Sequence, residues 1–205
     1  MTSLLLTFFF LTSVLAQSGS ESKQPEGWKV RLDRPGFFSS EPYFVSMAPG
    51  WHITTGPSLI AYEAAAAGSG NYKVESEIML FPGEQNAGYG LFIGGKSLDS
   101  NEMSYTAFQL RRDGKFSIWF RNGSTTRDIV AWTSHPAVLP QKGGPEPVKN
   151  ILTIEIRPAE VAFLANGRPV HVARRQGLAV EGSFGFRVDE NLNVHPTKLS
   201  IQALP

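Results

Sequence analysis

Apolar and polar residues alternate through short stretches of this chain. In Tyr72–Leu80, Tyr72, Val74, Ser76, Ile78 and Leu80 fall on one side, and Lys73, Glu75, Glu77 and Met79 on the other. That two-residue period predicts a strand with one wet face, ended by Pro82 and Gly83. Gly88–Ile93 reads as a second, glycine-rich strand. Tyr105–Arg111 and Phe116–Arg121 flank Arg112-Asp113-Gly114-Lys115, and Asp-Gly is a hairpin signal because glycine accepts the positive φ of a tight turn. Asn122-Gly123 leads into Ile129–Trp132, and Asn166-Gly167 joins Val161–Ala165 to Pro169–Ala173. With Ile151–Arg157, Phe184–Val188 and Lys198–Ala203 the pattern predicts about ten short strands.

Little competes with this reading. Ala61–Ala67 has good helix propensity, but Gly68-Ser69-Gly70 cuts it off, leaving room for at most a couple of turns. Pro136–Pro147, rich in proline and glycine, reads as one long connection between sheets, since the strands on both sides look alike. The expected architecture is all-β, one antiparallel two-sheet sandwich over residues 27–205.

Leu4–Ala16 is apolar and too short to span a bilayer as a helix. Val14 and Ala16 fit the small-residue pattern before a signal-peptidase cut. Residues 1–16 are therefore expected to be a signal peptide, followed by a disordered polar lead-in at 17–26. That places the mature chain, which has no membrane span of its own, in a secreted or periplasmic compartment. Nineteen basic and 18 acidic residues leave a net charge of +1, which gives no electrostatic reason to expect nucleic acid as a partner. The chain has no cysteine, so disulfides, thiolate catalysis and Cys-ligated metals are excluded.

Several segments occur in a telling order: Gly90-Leu91-Phe92-Ile93-Gly94-Gly95, Phe108–Phe116, Asn150-Ile151-Leu152-Thr153-Ile154-Glu155, Phe163-Leu164-Ala165-Asn166-Gly167, and Gly182–Val188. Over roughly residues 45–203 this resembles the concanavalin A-like lectin/glucanase superfamily, especially LamG-like and related exported jelly-roll domains. The resemblance implies that the Asn-x-Leu-x-Ile segment is a core strand, that the Phe-Leu-Ala-Asn-Gly segment is the hairpin after it, and that the Gly-Phe-Arg strand returns to the first sheet. It implies a lectin, a glycosidase or an adhesion module.

Two sets of residues could carry chemistry. Glu75 and Glu77 leave the same face of one strand, about 6.6 Å apart along the backbone, the minimum equipment for glycoside hydrolysis. The glucanases of the superfamily carry Glu-x-Asp-x-(x)-Glu. Here Glu77 replaces the central Asp, and Met79 and Leu80 stand where the third acid would fall. A solvated strand face with Lys73 as counter-charge accounts for the pair as well. The second set is Tyr105, Gln109, Arg111, Trp119 and Arg121, on the side of a strand pair opposite Phe108, Leu110, Phe116, Ile118 and Phe120. An indole flanked by polar forks suits sugar stacking and hydroxyl hydrogen bonds, unless a loop such as Pro136–Pro147 covers it.

The remaining candidates are weaker. His52, His135, His171 and His195 show no metal spacing and are expected in loops. Asp99, Asn101, Glu102, Asp189, Glu190 and Asn191 are oxygen-bearing loop residues that could form a calcium site, but without defined ligand spacing. No cofactor is otherwise expected. Asn122-Gly123-Ser124 fits a glycosylation sequon, although the turn alone explains it. Three functions remain: a non-catalytic module binding carbohydrate or another surface polymer on one sheet face, a glycosidase acting through Glu75 and Glu77, or a structural or protein-interaction domain.

Overall fold

The structure, a computed structural model, describes residues 23–34 and 40–205. The leader at 1–16 and residues 17–22 of the lead-in lie outside the described residues. At the end of the lead-in the Lys23 amide donates to the Phe44 carbonyl at 3.3 Å and the Trp28 amide to the Pro25 carbonyl at 3.2 Å.

The described residues form fifteen strands and no helix, with every pairing antiparallel. One sheet runs β1 (Trp28–Leu32), β4 (Leu59–Gly68), β13 (Gly182–Val188), β6 (Tyr89–Lys96), β7 (Ser104–Leu110), β8 (Lys115–Asn122), β9 (Thr125–Ser134). The other runs β12 (Arg168–Arg174), β11 (Glu160–Ala165), β10 (Val148–Ile156), β5 (Tyr72–Leu80), β14 (Asn193–Pro196), β3 (Trp51–Thr54), β2 (Tyr43–Ser46), with β15 (Ser200–Ala203) also on β5. The expected all-β sandwich is present. The Gly-Phe-Arg strand, β13, does return to the first sheet, between β4 and β6.

Strand alternation decides what lies between the sheets. Leu91, Phe108, Ile118 and Phe186 from the seven-stranded sheet meet Val74, Ile78, Leu152, Ile154 and Phe163 from the eight-stranded one, all at most 1% exposed. Burying a side chain of this size contributes about 1.5–3 kcal/mol. Phe120, expected to join Phe116 and Ile118, is only half-buried. It lies beyond the register shifts between β8 and β9. The segment Ala61–Ala67, read as helix-prone, belongs to β4. There it pairs with β1 on one side and β13 on the other, and the two ladders outweigh alanine's local preference.

The chain crosses from the first sheet to the second through residues 135–147, as the Pro/Gly-rich segment predicted. Two asparagines hold the crossing. Asn150, fully buried at the start of β10, accepts from the Leu139 amide at 2.9 Å and donates to the Leu139 carbonyl at 3.0 Å. Asn166, in the β11–β12 turn with φ 52°, donates to the Ala137 carbonyl at 2.8 Å and to Asn150 Oδ1 at 2.7 Å. Asn150 also donates to the Tyr89 hydroxyl at 3.2 Å. Burial pushes that phenol up to about 12, although Asn150 and Arg112 pull the other way. This explains why asparagine opens the Asn-x-Leu-x-Ile segment: its amide satisfies loop backbone that would otherwise be buried without partners. Asn150→Leu is expected to cost about 1–3 kcal/mol in urea unfolding and to open residues 135–147 to proteolysis. Wild-type stability with an uncut loop would contradict this account.

Candidate functional site

The outer face of the seven-stranded sheet is itself packed. Tyr62 of β4, Gly185 of β13, Phe92 of β6, Ala107 of β7 and Trp119 of β8 sit side by side in register. Large and small residues alternate along this row. A Cβ on Gly185 would lie 2.8 Å from the Phe92 ring and 2.9 Å from Tyr62 Cβ, so glycine is required for the rings to pass over it. Tyr105 joins the row, with ring centres 5.2 Å from Phe92 and 5.5 Å from Trp119, within the range of favourable aromatic pairs.

Arg187 stands beside this row. In β13 it alternates with Phe184, Phe186 and Val188, which point into the core, so its side chain leaves the opposite face. It is nevertheless 5% exposed. Its Nη2 lies 2.8 Å from both Asp33 Oδ2 and Asp189 Oδ1, and its Nε donates to Asp189 Oδ1 at 3.0 Å. The guanidinium also lies 5.5 Å from the Trp119 ring centre. Arg121 donates from Nη1 to the second Asp33 oxygen at 2.9 Å and from Nε to the Gly123 carbonyl, also at 2.9 Å. Burial disfavours the Asp33 carboxylate, but Arg187 and then Arg121 outweigh it and hold the group below its ordinary value of 3.8. For Arg187, burial opposes the charge; Tyr105, Asp189 and Asp33 reverse that, so it stays charged.

Gly88 fits closely against this cluster. Its amide donates to Asp189 Oδ2 at 3.0 Å, and an added Cβ would lie 2.8 Å from both Asp189 Oδ2 and Gln109 Nε2. Asp33, Arg34, Ser58, Arg187, Asp189 and Glu190 together line a pocket of roughly 240 Å³. Within it, Ser58 Oγ donates to Glu190 Oε2 at 2.6 Å. The oxygens of Asp33 and Asp189 are already taken by Arg187, Arg121 and Gly88. Ser58 and Glu190 therefore carry the acceptor capacity that remains.

The five residues singled out from sequence all lie on this sheet, but they do different things. Tyr105 and Gln109 are 0% and 1% exposed, so they are covered and do not present a surface as expected. Gln109 Oε1 accepts from Trp119 Nε1 at 2.7 Å, which fixes the indole. Trp119 and Arg121 are half-buried at the edge of the charged cluster. Arg111 sits apart, paired with Asp113 at 2.6 Å and 4.6 Å from the Trp132 ring centre. That pairing holds the Asp113 carboxyl at about 2. Ala137 and Val138 of the crossing segment pack into the core between the sheets, whereas Trp119 packs against the separate cluster of Tyr62, Phe92 and Tyr105.

Sequence reasoning missed Asp33, Ser58 and Arg187, and weighed Asp189 and Glu190 only as calcium ligands. The available signal was Arg187, the odd charge in an otherwise apolar strand. Glu75 and Glu77 lie on the other sheet. Glu75 accepts from Thr153 Oγ1 at 2.8 Å with Lys73 3.8 Å away, and Glu77 pairs with Lys149 at 3.0 Å. Asp99 is taken by Lys29 at 2.6 Å and by the Tyr62 hydroxyl at 2.7 Å. Among the described residues no group of three or more His, Asp and Glu is placed to hold a metal ion. His52, His171 and His195 were expected in loops but lie on β3, β12 and β14.

No protein-family model and no curated protein sequence matches this chain. The fold is similar to several solved structures. The carbohydrate-binding module CBM66 from Bacillus subtilis aligns with TM-score 0.64 and 15% identity, over 86% of this chain and 96% of that one. A Bacteroides ovatus mixed-linkage-glucan GH16 protein in complex with a product aligns at 0.60 and 8%, over 89% and 97%. The metal-free carbohydrate recognition domain of Emp46p aligns at 0.59 and 9%, over 90% and 92%. The fold is thus the concanavalin A-like jelly roll.

Removing Arg187 would leave Asp33 and Asp189 withdrawn from water without their shared partner. Arg187→Met is expected to cost about 3–5 kcal/mol in urea unfolding at pH 7. Because the folded Asp33 pKa is depressed, its contribution is present above pH 3.8 and lost as pH falls through the folded value. The gap between wild type and Arg187→Met should therefore narrow on acidification. A gap that is constant down to pH 2 would refute the assignment.

Proposed function

We propose that this protein is an exported, non-catalytic module that binds carbohydrate in the pocket lined by Ser58, Arg187 and Glu190. The observation that carries the reading is the pocket itself. Ser58 and Glu190 offer oxygen acceptors over a floor whose charges are already internally paired. Neutral hydroxyl groups can enter such a site without leaving a buried ion uncompensated. At roughly 240 Å³ it falls below the range of about 300–1,000 Å³ usual for drug-sized ligands, so it suits one sugar unit rather than a long segment. Trp119, held by Gln109, stands behind the pocket, its ring centre 5.5 Å from the Arg187 guanidinium that lines it.

The similar folds support this reading: a carbohydrate-binding module and a carbohydrate recognition domain are built on the same two sheets. The apolar leader at 1–16 supports export. Glu75 and Glu77 have no part in it, being engaged on the opposite sheet.

Glu190→Gln keeps the shape and removes a charged acceptor. It is expected to weaken binding to the best saccharide on a glycan array at least tenfold, while the melting temperature stays within about 2 °C, as befits a partly exposed change. An array with no saccharide above background for the wild-type protein would eliminate the proposal.

A further inference from the structure

The outer face of the eight-stranded sheet carries a second feature, unrelated to the pocket. The β3–β14 ladder pairs Thr54 with Asn193 and Ile53 with Val194. One step further along it, His52 and His195 come together with ring centres 6.4 Å apart. Both leave the face opposite Ile53 and Val194, which are core residues. His195 is 5% exposed, and Phe81 packs on the His52 ring at 4.7 Å.

Three polar atoms in this cluster are withdrawn from solvent and make no hydrogen bond among the described residues: His52 Nδ1, His195 Nδ1 and Asn193 Oδ1. Buried groups of this kind call for a partner. Asn193 lies two residues before His195, so its side chain shares that face. The carboxylates on the neighbouring stretch of β5 are engaged elsewhere, Glu77 by Lys149 at 3.0 Å. Among the described residues no carboxylate forms an ion pair with either histidine.

We propose that His52 and His195 form a cross-strand site for a divalent ion of the zinc, nickel or copper class, with the Asn193 amide oxygen as a third donor. Imidazole suits these ions, whereas calcium and magnesium prefer all-oxygen sites. Nitrogen–metal bonds of about 2.0–2.1 Å require the rings to close by about 1 Å, which rotation of the partly exposed His52 ring can supply.

The test is titration of the full chain, free of any polyhistidine tag, with zinc chloride at pH 7.5, read by calorimetry and by thermal shift. One ion per chain is expected, with a rise in melting temperature as zinc increases. His52→Ala, the more exposed partner and the safer variant for folding, should weaken binding at least tenfold, while His171→Ala should leave it unchanged. Backbone and imidazole NMR shifts on zinc addition should centre on β3 and β14. Absence of stoichiometric zinc, or affinity unaltered in His52→Ala, would overturn the proposal. Neither result bears on the sugar pocket of the other sheet.

Discussion

A charge taken out of water has to be answered by other charges, and Arg187 imposes that demand on the first sheet. Its guanidinium lies beneath the surface, so Asp33 and Asp189 must stand 2.8 Å from it. Each carboxylate then needs its remaining oxygen occupied, by Arg121 and by the Gly88 amide. A chain of obligations therefore runs from β13 to the segment after β1, to β8, and to the start of β6. Breaking one link leaves the others buried and unpaired, which is costlier than never having had them. This is why the cluster acts as a rigid floor. Such a floor suits recognition, because groups already ordered lose little freedom when a ligand arrives.

The aromatic row follows from the same constraint. A strand face carrying a long buried arginine needs small neighbours to make room and flat ones to cover it. Gly185 and Ala107 provide the first, and Phe92, Tyr105 and Trp119 the second. The middle strands of this sheet, β13, β6 and β7, are consequently apolar or internally paired on both faces, which is unusual for an antiparallel sheet with one solvated side. The eight-stranded sheet keeps the ordinary arrangement, with Lys73, Glu75, Glu77 and Lys149 wet on its outer face.

Alternation made much of this fold legible. It sorted β5, β7 and β8 into core-facing and outward sides, and it placed the Asp113-Gly114 and Asn166-Gly167 turns, because those signals are local and carry their own φ requirement. It could not show what lies on an outward side. Tyr105 and Gln109 point outward from their strand yet are covered, because groups from other strands lie over them: Phe92 of β6, Trp119 of β8 and, 82 positions from Tyr105, Arg187 of β13. Alanines 61–67 misled for the opposite reason: their local preference is real but small beside two flanking ladders. Arg187 was visible as an anomaly, but its partners Asp33 and Asp189 were not, since one is 154 positions away.

The division between the two sheets also bears on catalysis. Glycoside hydrolysis needs two carboxyl groups in different environments, one kept protonated to donate and one ionised to attack or activate water. Glu75 and Glu77 are equivalent in kind: neighbours on one solvated strand, each with a lysine and neither beside an aromatic wall. On the opposite sheet, Asp33 and Asp189 are paired with arginines and with the Gly88 amide, and Glu190 accepts from Ser58. Neither set of carboxylates pairs an acid and a base in contrasting surroundings, which is why the reading proposed above is one of binding.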